Sequence, residues 1–276
     1  MALTRAAAAQ RAGPWYHETV SPPRGAPPRA VNTTLLLLRA ATARVDGLKP
    51  FSPVLASTDI SLCSGLRPDE LALVEPLFTK RTRFRKGDTL YRAGDAFNAL
   101  YAIRVGSCKT VLLGRGGQER VGGYHIIGDV IGIDGIGSDV YECQATALED
   151  MEVFRLPFDG LEIVARCSDR FGHNLHKVLS QECSRLQGLT FVLGTMCADQ
   201  RLAVFLLDLS RRYQTRGFSS CEFVLRMTRE EIGSHLGLKL ETVSRAFSRF
   251  QDQGVLQVQG RLVKLLDHVA LKRIAD

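Results

Sequence analysis

The stretch MTREEIGSHLGLKLETVSRAFSRFQDQGVLQVQGR (227–261) decides the fold of the C-terminal part of the chain. Thr228 and Glu231 have the spacing of a capping box, which predicts a helix that begins directly after Thr228. Gly237 predicts the end of that helix, because glycine readily takes the positive φ of a helix C-terminus. A second helix follows and ends before Gly254. Two short helices joined by a glycine turn indicate a helix-turn-helix.

Three polar residues share one face near the start of the second helix, which is predicted from about Leu240 to Gln253. Glu241, Ser244 and Arg245 are spaced i, i+3 and i+4. In a helix-turn-helix, the N-terminal residues of this recognition helix meet base edges in the major groove. Arginine can bind guanine with two hydrogen bonds, glutamate can accept from cytosine, and serine suits either. We therefore predict three base readers; the alternative is a surface ion pair that only stabilises the helix.

A hairpin is predicted directly after the recognition helix. Apolar residues at 255–258 and 262–266 flank Gly260, which indicates the wing of a winged helix-turn-helix. Basic side chains around the motif predict contacts to DNA phosphates, and such contacts make affinity depend on salt. The predicted phosphate contacts are Arg229, Lys239, Arg249 and Arg261.

The middle of the chain has the pattern of a β-roll. From Phe84 to Pro157, short apolar segments alternate with glycines, which is typical of an antiparallel barrel or jelly roll. A short helix is predicted before it at 68–78, and the fold class is α+β. The predicted organisation is a basic extension at 1–60, a cyclic-nucleotide-binding-type β-roll at 61–170, a dimerisation helix at 171–198 and a winged helix-turn-helix domain at 199–276.

A long helix is predicted between the roll and the helix-turn-helix. Its apolar residues recur in alternating steps of four and three, which is the spacing of a two-stranded coiled coil. Glu182 is the one polar residue of this seam. A dimer is therefore expected; the alternative is an amphipathic helix that packs on its own barrel. The predicted apolar seam residues are Leu175, Leu179, Leu186, Leu189, Leu193 and Met196.

Composition restricts the class of protein. With 276 residues, 45% hydrophobic and 24% charged, the chain can bury a core, which excludes wholesale disorder and collagen-like fibres. The net charge of +7 is divided into +5 for residues 1–50, −2 for 51–197 and +4 for 198–276. A basic C-terminal third favours nucleic acid as a partner. Residues 1–30 mix Ala, Arg and Pro, so the extension is predicted to be disordered and not a secretory signal.

Location and redox state follow from two further counts. No run of eighteen apolar residues occurs, so no membrane-spanning helix is expected. Seven cysteines without a CxxC pair favour a reducing compartment. The predicted localisation is therefore cytoplasmic, and no metal site is predicted.

The chain resembles the CRP/FNR superfamily of bacterial transcription regulators across roughly residues 60–275. The stretches FRKGDTLYRAGD (84–95), LYAIRVGSCKT (100–110), HIIGDVIGIDGIGS (125–138) and ALEDMEVFRLPF (147–158) look like its roll, and RLAVFLLDLSRR (201–212) with 227–261 looks like its DNA-binding domain. ETVSR (241–245) is similar to the recognition helix of the oxygen-responsive FNR branch. The resemblance implies a dimer on inverted repeats of TTGAT, control of anaerobic or redox-linked genes, and Glu241, Ser244 and Arg245 as base readers.

The family's effectors do not match these residues. Cyclic AMP binders have an arginine in the phosphate cassette, but residues 131–145 contain no arginine or lysine. FNR proteins hold a [4Fe–4S] cluster with four thiolates. Cys63 matches one family ligand, whereas Val54, Ser57 and Phe154 occupy the other three positions. No cofactor is therefore predicted, and the chain is expected to be FixK-like.

Two further expectations come from the resemblance. Leu186 replaces the acidic seam residue of cluster-type FNR proteins, which favours a dimer that forms without a cluster. The family's contact with RNA polymerase corresponds to the loop 113–118, in particular Leu113, Gly117 and Gln118. Apart from the resemblance, Cys221 lies just before the helix-turn-helix, so its oxidation near the DNA backbone would weaken binding; the alternative is an ordinary surface or half-buried cysteine. Cys63 is the second candidate redox thiol.

Alternative functions remain open from the sequence. A regulator of the same fold could sense oxygen, haem or nitric oxide through His125 or a cysteine. A cupin-type metalloenzyme would need His and carboxylate ligands on adjacent strands. Of six histidines only His125 falls in the roll, so catalysis is not expected.

Overall fold

The computed structural model describes residues 60–114 and 116–276, and its N-terminal domain is a β-roll, as predicted. The strands are β1 (Arg81–Phe84), β2 (Thr89–Tyr91), β3 (Ala99–Val105), β4 (Ser107–Leu113), β5 (Glu119–Ile126), β6 (Val130–Ile131), β7 (Gln144–Ala147) and β8 (Met151–Pro157). They form two antiparallel sheets of four strands, in the orders β1-β8-β3-β6 and β2-β7-β4-β5.

The roll closes around apolar side chains of both sheets. Ile103 and Val153 of one sheet and Cys108 and Ala145 of the other lie in one cluster and are fully buried. The chain reverses from β3 into β4 at Gly106, whose φ is 89°. A Cβ at this position would lie 2.6 Å from the Cβ of Met151, so the tight packing of β8 against this turn also requires glycine.

Three helices pack on the roll, and a fourth belongs to the core of the C-terminal domain. They are α1 (Pro68–Val74), α2 (Phe158–Cys167), α3 (Asp169–Thr195) and α4 (Ala198–Gln214). The helix α1 with the 3-10 turn Glu75–Phe78 confirms the predicted short helix, whereas α2 was not predicted. The long helix α3 ends three residues before the predicted limit of 198, because Met196 and Cys197 are extended.

The C-terminal domain is the predicted winged helix-turn-helix. Its elements after α4 are β9 (Glu222–Val224), α5 (Arg229–Leu236), α6 (Leu240–Asp252), β10 (Leu256–Gln259), β11 (Leu262–Leu265) and α7 (His268–Ala275). The sheet order is β10-β11-β9, so the predicted wing is part of a three-stranded sheet. Asp267 caps the start of the unpredicted helix α7, and its carboxylate accepts hydrogen bonds from two backbone N–H groups at 2.9 Å.

The two domains share one apolar core. Val121, Tyr124, Ile126 and Leu148 of the roll lie in the same buried cluster as the core of the winged helix-turn-helix. No helix among the described residues is apolar over a length that would cross a membrane. The extension predicted at 1–60 lies outside the described residues except for Ile60, which is buried in the core of the roll.

Candidate nucleic-acid interface

Local signals position the two helices of the motif. The Thr228 side chain accepts from the Glu231 backbone N–H at 3.1 Å, and the Glu231 carboxylate accepts from the Thr228 N–H at 2.7 Å. This reciprocal pair is the predicted capping box at the start of α5. Gly237 ends α5 with φ of 64°, as predicted. A Cβ at Gly233 would lie 2.5 Å from the Leu238 carbonyl oxygen, so the close turn between the helices also needs that glycine.

The helix α6 has one buried face and one free face. Val243, Phe247 and Phe250 are between 0% and 3% exposed and fix the helix to the domain core. On the other side Glu241 and Arg245 are exposed, and the two side chains form no ion pair with each other among the described residues. The alternative of a purely helix-stabilising pair is therefore not what this geometry shows. The free carboxylate and guanidinium have the donors and acceptors that base edges require.

Leu240 was missed in the sequence analysis. It is the first residue of α6, is 44% exposed and precedes Glu241 directly. An apolar side chain at this place can contact the methyl group of thymine. Its position one residue before the predicted base readers was the available signal, but an apolar residue in an amphipathic helix is ordinarily assigned to the core.

The four predicted phosphate contacts lie in different environments. The Arg229 guanidinium carbon lies 3.2 Å from the centre of the Phe247 ring, and burial lowers the pKa of Arg229 to about 10, so it stays charged at neutral pH. Lys239 is exposed at the N-cap of α6, and Arg261 is exposed in the wing turn. Arg249 is held in an ion pair with Asp199 of α4, with Nε to Oδ2 at 3.1 Å.

The predicted seam on α3 is free over part of its length. Leu186 is 48% exposed, and Leu179, Leu189 and Leu193 are half-buried. Leu175 differs, because it is only 8% exposed and packs in the core of its own roll. Met196 lies just after the end of the helix. The apolar stripe available to a second chain therefore begins at Leu179.

The candidate polymerase loop and redox thiols are placed as follows. Leu113 is 51% exposed and Gly117 has φ of 75°, while Arg115 between them lies outside the described residues. Cys221 is exposed at the start of the C-terminal sheet. Cys63 is half-buried, and burial raises the pKa of its thiol to about 12, which disfavours the thiolate that oxidation needs.

The residues present do not fit an iron–sulfur cluster. Cys63 is the single thiol at a family ligand position, and the ring of Phe154 fills the position of the roll ligand with no exposed surface. Within 60–114 and 116–276, no three His, Cys, Asp or Glu side chains are arranged to hold a metal ion. His125 is 5% exposed, and its Nε2 lies 3.2 Å from the Thr110 hydroxyl. The side chain of His125 is therefore already engaged inside the protein.

The roll also provides no cationic partner for the phosphate of a cyclic nucleotide in the segment where the family has one. The segment 131–145 provides no cation, and an unpaired phosphate would be costly to bury. Aromatic rings fill this part of the roll. Tyr91 stacks on Tyr141 with ring centres 4.1 Å apart, and the Tyr141 hydroxyl donates to the Ala99 carbonyl at 2.7 Å.

Comparison with known proteins identifies both domains. Residues 200–274 match the family of Crp-like helix-turn-helix domains, and residues 81–166 match the family of cyclic nucleotide-binding domains. The structure of FixK2 from Bradyrhizobium japonicum superimposes with a TM-score of 0.65 at 28% identity, covering 71% of this chain and 97% of FixK2.

Curated relatives agree with this assignment. The transcriptional regulatory protein btr of Bordetella pertussis is 40% identical over 76% of this chain and 87% of its own length. The fumarate and nitrate reduction regulatory protein of Escherichia coli is 37% identical over 76% of this chain and 84% of its own length. Both are named as regulatory proteins, and their family consists of DNA-binding regulators and not of enzymes, which excludes the cupin alternative. The chain belongs to the CRP/FNR family of DNA-binding transcription regulators.

Proposed function

We propose that two copies of this chain bind a palindromic DNA site with TTGAT half-sites, each placing α6 in one of two successive major grooves. The observation that carries the proposal is the free face of α6, where Glu241 and Arg245 are exposed while the opposite side is anchored in the core. Arg245 would bind guanine, Glu241 would accept from cytosine, and Ser244 would add a third contact.

Dimerisation rests on the exposed stripe of α3. Leu179, Leu186, Leu189 and Leu193 have the coiled-coil spacing and retain accessible surface. An apolar Leu186 on this stripe favours association without any effector. Two recognition helices related by a twofold axis would then meet half-sites one helical turn apart.

Binding would not require a cluster, a cyclic nucleotide or haem. The absence of thiols at three of the four family ligand positions, the filled roll and the engaged His125 support this part of the proposal. The name of the Escherichia coli relative concerns fumarate and nitrate reduction, which supports anaerobic or redox-linked target genes. The loop of Leu113, Gly117 and Gln118 is the proposed contact with RNA polymerase, and the proposed location is the cytoplasm.

Selection from a randomised duplex library tests the sequence part of this proposal. Aerobically purified protein should enrich inverted TTGAT repeats with a constant spacer. An Arg245→Ala variant should enrich sites that have lost the preference at one base pair. Enrichment of sites without an inverted repeat, or of unchanged sites by the variant, would refute the assignment.

An oxygen, haem or nitric-oxide sensor of the same fold is the second candidate. It predicts that site selection changes after anaerobic reconstitution with iron and sulfide, or that added haem gives a Soret band. Equal selection under all conditions supports the effector-free regulator.

A further inference from the structure

The roll contacts the first helix of the motif through a polar patch on the β4–β5 hairpin. Lys109 Nζ lies 2.6 Å from Glu231 Oε1, and both side chains are about four-fifths buried. The Val121 backbone N–H donates to the Ser234 hydroxyl at 3.0 Å, and His235 Nδ1 lies 3.3 Å from the Val121 carbonyl oxygen. The hairpin therefore contacts both turns of α5.

Glu231 connects this patch to the capping box. Its Oε2 accepts from the Thr228 N–H, while its Oε1 binds Lys109. Lys109 consequently holds the third residue of α5, whose carboxylate completes the capping box. Because Ile232 of α5 and Val243 of α6 are both fully buried in the same core, a displacement of α5 would carry α6 with it.

A second roll residue holds α4. The Asp129 carboxylate lies 2.5 Å from Arg212 Nη2 and also pairs with Arg216. Arg212 donates in addition to the Tyr124 carbonyl at 2.9 Å. All three charged side chains are between 14% and 16% exposed, so the contact is largely shielded from salt.

These contacts matter because the covalent connection is short and extended. Only Met196 and Cys197 lie between α3 and α4. In the proposed dimer α3 lies along the twofold axis, so rotation at these two residues would swing each recognition helix away from its groove. The roll provides the attachment that opposes this rotation.

We propose that Lys109 and Asp129 are positioning residues for DNA binding, which hold the recognition helix at the angle where two copies meet successive major grooves. This inference rests on the proposed dimeric binding. The roll acts here as a rigid support for the motif. Both side chains are paired with charged residues of the C-terminal domain, so their expected effect is on the geometry of the pair of helices.

The expected effect depends on how many half-sites the duplex offers. On a single half-site a loosened domain can adopt any orientation, so affinity should not change. On a palindrome both domains must be oriented together. If the competent fraction of each domain falls to about one third, affinity for the palindrome falls about tenfold.

The test compares Lys109→Met, Lys109→Arg and the control Lys86→Met, which removes an exposed roll charge, on duplexes with one half-site or two. Spacers one base pair shorter and longer than the optimum are included. Lys109→Met should bind the palindrome about tenfold more weakly and keep its affinity for the single half-site. Its affinity should also fall less than that of the wild type when the spacer is changed by one base pair. Lys109→Arg and Lys86→Met should behave as the wild type.

A second variant tests the same contact from the other side. Glu231→Gln keeps an acceptor for the Thr228 N–H but loses the charge that binds Lys109. It should reproduce the loss of Lys109→Met, and the double variant should be no weaker. Unchanged or tighter palindrome binding by both single variants would overturn the inference. Failure of the wild type to prefer the palindrome would instead refute the proposed function.

Discussion

The ion triad at Asp129 allows a quantitative prediction of stability. Burial alone would raise the pKa of Asp129, but Arg212 and Arg216 lower it from 3.8 to about 2. That difference corresponds to about 2.5 kcal/mol of folding free energy at neutral pH. In an Asp129→Asn variant two largely buried guanidinium groups would also lose their counter-charge, and breaking such a pair costs about 3–5 kcal/mol.

Urea unfolding at pH 7 and fixed protein concentration measures this loss. The midpoint for Asp129→Asn should fall by about 1 M or more, given a slope of about 2–3 kcal/mol per molar urea. Asp252→Asn, which neutralises an exposed carboxylate at the end of α6, should cost less than about 0.5 kcal/mol. The account of the triad is wrong if the two variants unfold within about 0.5 kcal/mol of each other.

The pH dependence checks the cause of the loss. A carboxyl group whose folded pKa is depressed stabilises the protein above its unfolded pKa, and this contribution disappears as pH falls through the folded value. For Asp129 the window runs from 3.8 down to about 2. The difference between wild type and Asp129→Asn should therefore be constant above pH 5 and about 1 kcal/mol smaller at pH 3. A difference that stays constant to pH 3 would exclude the ion pair as the cause.

Three further predictions concern DNA binding and assembly. Arg245→Ala should cost about 1–3 kcal/mol in binding and relax discrimination at one guanine, measured by fluorescence anisotropy on half-sites altered at each base; an intact preference would count against this base reader. Leu186→Asp should convert the dimer to monomer in gel filtration, because it places a charge on an apolar stripe. If the variant remains dimeric, the dimer interface does not include this part of α3. Peroxide should weaken DNA binding by oxidising Cys221, so a Cys221→Ser variant should keep its affinity after peroxide treatment. An equal loss of affinity in the variant would show that Cys221 is not the thiol responsible.

Local sequence signals were sufficient for the DNA-binding motif. The capping box of Thr228 and Glu231 spans four residues, and Gly237 acts at its own position, so neither depends on distant packing. The contact of Lys109 with Glu231 joins residues 122 positions apart. No periodicity within either segment specifies that pairing, and it follows only from the docking of the domains.

Periodicity predicted the long helix but not which neighbour covers each residue. Leu175 and Leu186 are both seam positions of the coiled-coil pattern, yet the roll covers Leu175 and leaves Leu186 half exposed. In the same way, a basic residue in the motif can face DNA or another element. Arg249 has the charge of a phosphate contact, but the structure pairs it with Asp199 of α4, and its role at DNA stays a prediction.

The most direct test of the central claim is a titration of aerobically purified protein into a TTGAT-N4-ATCAA duplex, with iron content and visible spectrum recorded on the same sample. The account predicts tight binding of two chains per duplex by colourless, iron-free protein. Binding only after anaerobic reconstitution, with a brown chromophore, would contradict it, because the chain would then hold a cluster although Cys63 is the single thiol at a family ligand position.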